Sequence, residues 1–112
     1  MEMAVYIMNI LYAKPNIDVV NSWGVCKFRA LQGDEGAIFH TQGFKWNGWV
    51  KIVYDLGADL FNIFYITNDG QTVKEQKGIY FDELVRTIDE EVEKTSDYEK
   101  RVMEHYSVVV LK

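Results

Sequence analysis

The chain has 112 residues, of which 48% are hydrophobic and 14% aromatic, enough to fill one core without a metal or disulfide staple. Charged residues make up 26%, a globular proportion that excludes a disordered chain. The net charge of −5 argues against binding nucleic acid through bulk phosphate neutralisation, and one cysteine, Cys26, excludes an internal disulfide.

Residues 3–11 are apolar almost throughout, and their periodicity is compatible with either a helix or a buried strand. They do not read as a secretory leader. Glu2 stands where a basic residue is needed, Asn9 interrupts the run, and no small-x-small cleavage site follows. No apolar run approaches the ~18 residues of a membrane span. The expectation is a single domain over 1–112, cytoplasmic by default.

Pro15 closes the first segment, and Asn16 then resembles a helix cap. Ile17, Val20 and Trp23 recur at helical spacing before Gly24, which predicts a short N-terminal helix. The middle of the chain has the patterning of strands. Cys26, Phe28 and Ala30 alternate with Lys27 and Arg29, as in a half-buried strand whose apolar side holds Cys26. Residues 33–36 form a turn, and residues 37–46 continue as strand with a bend at Gly43.

Asn47-Gly48 is the strongest short hairpin signal in the chain, because both residues tolerate the positive φ of a tight turn. It would set Trp46 and Trp49 face to face across the ladder. Residues 49–55 return, 56–59 turn, and 60–67 form a strand rich in Phe, Ile and Tyr. Residues 68–71 lead into a polar strand at 72–77, whose Lys74, Glu75, Gln76 and Lys77 suit a charged sheet edge.

From residue 81 the period changes. Phe81, Leu84, Val85, Ile88 and Val92 form a helical stripe, with Asp82 and Glu83 favourably placed in the first turn. Glu90 and Lys94 are a supportive i, i+4 pair, and Ser96 to Glu99 reads as a capping box for a second helix. Residues 106–112 suit either helix or strand. The expected fold class is α+β: an antiparallel β-meander of about four to five strands, a short N-terminal helix, and one or two C-terminal helices packed on one sheet face. This order resembles small proteins carried by bacterial phages and mobile elements, a resemblance that transfers no residue role.

The sequence offers no catalytic motif. Metal ligation would need three or four well-spaced ligands, but only Cys26, His40 and His105 are available beside the carboxylates. No nucleophile elbow, phosphate loop or calcium loop is present. Neither metal nor cofactor is expected. A Cys–His site from Cys26 with His40 or His105 is the one enzymatic alternative.

Binding is the better expectation. Trp46 and Trp49, flanked by Lys45 and Lys51, suit a protein-binding hairpin, with a protein partner or self-association into a homo-oligomer. The first alternative lies in residues 82–104, which carry nine acids against four bases. There Asp82, Glu83, Asp89, Glu90 and Glu93 would form an acidic patch that imitates nucleic-acid phosphates on a basic partner. The second is single-strand binding by the meander aromatics Phe39, Phe44, Trp46, Trp49, Tyr54, Phe61, Phe64 and Tyr65. A protein-interaction module is the first expectation, and no membrane contact is expected.

Overall fold

The computed structural model describes residues 2–93. The second C-terminal helix expected from Ser96, the Glu90–Lys94 pair, His105 and the choice between helix and strand for 106–112 lie outside the described residues. Two helices open the chain, α1 (Met3–Leu11) and α2 (Ile17–Asn21). Five strands follow, β1 (Cys26–Ala30), β2 (Gly36–Gln42), β3 (Asn47–Asp55), β4 (Leu60–Ile66) and β5 (Thr72–Ile79). A short 3₁₀ turn, Phe81–Glu83, leads into α3 (Leu84–Val92). The strands form one antiparallel sheet in sequence order, the meander expected for an α+β chain. No helix of the described residues is long and apolar enough to cross a membrane.

Residues 3–11 are helix, which settles the ambiguity of that run. The reason is tertiary: Ala4, Ile7 and Leu11 recur at helical spacing on one buried face. In α2, Val20 is buried, and Trp23 just beyond it is buried too. Gly24 then takes φ +63, a conformation that suits glycine where a helix ends. Asn16 does not cap α2 with its side chain. Its Nδ2 donates to the Ile10 carbonyl at 2.9 Å and ties the α1–α2 link to α1.

All three helices supply the core on one face of the sheet. Ile7, Leu11, Val20, Trp23, Leu84, Ile88 and Val92 meet Phe39, Val50, Ile52, Phe61, Ile63 and Tyr65 from the strands. Trp23 stacks on Phe39, and Phe28 stacks on the same ring. The Trp23 indole N–H donates to Asp89 Oδ1 at 2.9 Å, joining α2 to α3. Tyr65 donates its hydroxyl to Gln76 at 2.8 Å. Burial raises its phenol well above the usual tyrosine range, and the nearby Glu91 carboxylate adds to the shift. The helical stripe of α3 starts at Leu84, since Phe81 is 57% exposed on the preceding turn. Among the described residues strand β5 is a sheet edge, as expected, and its Lys74 forms an ion pair with Glu91 of α3.

The hairpin between β2 and β3 differs from the sequence expectation. Asn47 and Gly48 are not a turn. They open β3, paired with Gln42 and Thr41, and neither has positive φ. The chain instead reverses at residues 43–46, where Gly43 N–H donates to the Trp46 carbonyl. The end of α3 holds this turn. The Val92 carbonyl accepts from Lys45 N–H and Trp46 N–H, and the Glu93 carboxylate accepts from Phe44 N–H. Carbonyls at a helix end lack intrahelical donors, so each part satisfies the other. A Cβ on Gly43 would stand 2.3 Å from the Val92 carbonyl oxygen, so this position needs glycine for the approach of α3. Gly48 serves packing as well: the Trp46 indole lies 2.8 Å from where its Cβ would be, too close for a side chain.

Candidate functional site

Strand geometry divides the sheet into two faces. One is the core face. On the other, the register sets Arg29, Ile38, Lys51, Phe64 and Glu75 in one cross-strand row. A neighbouring row runs Cys26, His40, Trp49, Ile66 and Thr72. Val53 and Asn62 start a third. Ile38, Trp49, Val53, Phe64 and Ile66 are half-buried, yet none belongs to the core or packs against it. The central strands β3 and β4 are therefore apolar on both faces, whereas the helices among the described residues, α1, α2 and α3, pack on one, and among these residues the other face is open. An antiparallel sheet with one face in water usually alternates apolar with polar residues.

Two polar groups beside the apolar residues of this face, Lys51 and His40, are already oriented. The Lys51 ammonium lies 4.9 Å above the centre of the Phe64 ring, a cation–π contact. His40 meets Trp49 edge-on at 5.1 Å between ring centres. The same imidazole's Nε2 lies 2.8 Å from Asn68 Oδ1.

The two tryptophans expected to act together are separated. Trp49 lies on the open face. Trp46 turns to the core face, where its ring meets Tyr65 edge-on and its indole N–H donates to the Trp49 carbonyl at 3.2 Å. They do not face each other across a ladder, because Trp46 closes the turn at residues 43–46 and Trp49 lies within β3. Lys45 is drawn to α3, donating through Nζ to the Glu90 carbonyl, and Lys51 joins Trp49 on the open face. Ile38, Val53 and Ile66 were not singled out from the sequence, and Phe64 only as one of the aromatics for base stacking. The available signal was parity: counting by twos through 49–53 and 60–66 places apolar residues on both faces.

The acidic residues of 82–93 do not form one free patch. Asp89 accepts from Trp23, Glu93 is 8% exposed and accepts from Phe44, and Glu83 pairs with Arg86. Asp82 and Glu90 are exposed. Much of the acidity anchors α3 to the rest of the fold.

Cys26 is exposed, not on the apolar side of β1. A β-bulge between Cys26 and Arg29, with Lys27 at φ +56, shifts the register and turns the thiol to the face of its partner His40. Native protein should thus react with iodoacetamide at one thiol per chain, within about tenfold of a small-molecule thiol's rate. A thiol that reacts only in denaturant would refute this placement. No group of three His, Cys, Asp or Glu side chains among the described residues could hold a metal ion. No protein-family model matches the chain, and no match was found among curated proteins or solved structures.

Proposed function

We propose that the protein is a non-enzymatic interaction module that binds a protein partner through the open face of its sheet. The observation that carries this reading is the double-sided apolar character of β3 and β4. Trp49, Phe64 and Ile66 are unusually costly to leave against water on a sheet face. A flat apolar patch centred on a tryptophan suits an interface hot spot.

The chemistry of the face favours a different protein over a second copy. Lys51 sits in the middle row of the central strand, so two-fold stacking of two such faces would bring both ammoniums into the interface. A partner with an apolar surface and a carboxylate near Lys51 avoids that repulsion. Stacking of nucleic-acid bases is less well served, because Lys51 already covers the Phe64 ring.

The test uses tagged full-length protein, wild type and Trp49→Lys, as bait in lysate of the source organism, with and without nuclease. Expected is a nuclease-resistant protein partner whose affinity falls at least about 30-fold in the variant, the loss typical of a hot-spot residue. Far-UV circular dichroism should stay native, since Trp49 lies outside the core. Equal capture by both baits sinks the proposal. Recovery of nucleic acid alone would support the stacking reading, and a wild-type dimer that Trp49→Lys dissociates would replace the partner by a second copy.

A further inference from the structure

At the opposite side of the molecule from the open face, two adjoining cavities of about 580 and 420 Å³ share Tyr6 of α1 and the exposed Phe81. Each volume lies in the range of small-ligand sites. The first continues along α1 past Ile10 to Asp82. The second runs over the ends of β3 and β4, past Tyr54 to Asp59. The aromatic walls are braced: Tyr6 stacks on Phe61 at 6.4 Å, and Tyr54 packs against Phe61 at 5.4 Å. Tyr54 also donates its hydroxyl to Asp59 at 2.6 Å, which fixes the carboxylate at the rim.

The charge of this groove has one sign. Among the described residues, Asp59 and Asp82 are the only ionisable acids or bases other than tyrosine that line the two cavities, one in each, and no described Lys, Arg or His lines either. Aromatic faces beside a carboxylate attract a cation on an apolar stem, the chemistry of a Lys or Arg side chain. We infer that the groove between α1 and the Tyr80–Phe81 segment binds a basic peptide, taking a Lys or Arg side chain into each cavity with an apolar residue over Phe81. This surface is independent of the open sheet face. Its preference is also opposite in sign, because the open face has Lys51 at its centre and the groove has two carboxylates. One small domain can therefore hold two different partners at once.

The experiment is an amide-resolved NMR titration of the full chain with acetyl-Leu-Arg-Leu-Arg-Leu-amide, with acetyl-Leu-Glu-Leu-Glu-Leu-amide as control. The arginine peptide should give saturable shifts at Tyr6, Ile10, Asp59, Phe81 and Asp82, and the glutamate peptide should give none. Asp59→Asn with Asp82→Asn should weaken binding about tenfold, the scale of two exposed ion contacts, and added salt should do the same. Phe81→Ala, at a side chain 57% exposed, should weaken it comparably without loss of fold. Absence of saturation at millimolar peptide would overturn the inference. So would equal binding of the glutamate peptide, shifts confined to other surfaces, or a double variant that binds like wild type. Trp49→Lys should leave this titration unchanged, so failure here and failure of the open-face reading are separable.

Discussion

Gly36→Ala lowers the unfolding free energy by about 3 kcal/mol, the upper end of the usual cost of overpacking and a substantial part of the ~5–15 kcal/mol that stabilises a domain. Gly36 has no positive φ, so the cause is purely steric. Its added Cβ would lie 1.9 Å from the Ile52 carbonyl oxygen and 3.1 Å from the Val53 Cα. Those are backbone atoms of the central strand and cannot swing aside as a side-chain end could. The β2–β3 ladder, paired from Gly36–Val53 through Gln42–Asn47, must open at its start. Urea unfolding followed by far-UV circular dichroism reads the loss. Gly57→Ala is the control, because its Cβ would meet only Asp55 Oδ1 at an ordinary 3.5 Å. That variant should be neutral or slightly stabilised, by up to about 1 kcal/mol. Equal midpoints for Gly36→Ala and wild type would refute the close approach of β2 to β3.

Trp23→Ala costs about 3–5 kcal/mol, by a different mechanism. Trp23 is fully buried, and it sits where α2, α3 and the sheet converge. Its ring stacks on Phe39, its indole N–H donates to Asp89, and its carbonyl accepts from Gln42 N–H at 2.7 Å. Alanine keeps the last of these and removes the other two, leaving a cavity that neighbouring helices fill only in part. Trp23→Phe separates the contributions: it retains most of the volume and loses the hydrogen bond to a carboxylate, a cost of about 1.5–3 kcal/mol. In a double-mutant cycle, Trp23→Phe and Asp89→Ala should couple, because they remove two ends of one bond. Additive losses would show that Asp89 does not hold the indole. A Trp23→Ala loss below about 1 kcal/mol would place Trp23 outside the core.

These two positions also separate what a linear pattern reveals from what it hides. Trp23 was visible from its helical spacing with Ile17 and Val20, although Ile17 proved exposed and Asn16 bonded backward to Ile10. Gly36 looked like an ordinary turn glycine, since the atom that forbids a side chain there belongs to Ile52, far along the sequence. Asn47-Gly48 failed for the same kind of reason. The dipeptide carries a strong local preference for a turn, but the Val92 carbonyl and Glu93 carboxylate reward a turn three residues earlier. A local preference worth a fraction of the total yields to several satisfied backbone donors at a helix end.

The sequence by itself determined the α+β class, the meander of strands, the charged edge at β5 and the buried stripe of α3. Each rests on side-chain periodicity, which is a local property of helix and strand. Only the tertiary structure decided that residues 3–11 are helix, because a continuous apolar run becomes helix or strand according to what it packs against. It alone turned Cys26 outward, through one bulge residue that reverses the alternation of β1. And it alone parted Trp46 from Trp49 and gathered Trp49, Lys51, Phe64 and Ile66 on one face. Their grouping follows from the register between β3 and β4, and register depends on where separate chain segments meet.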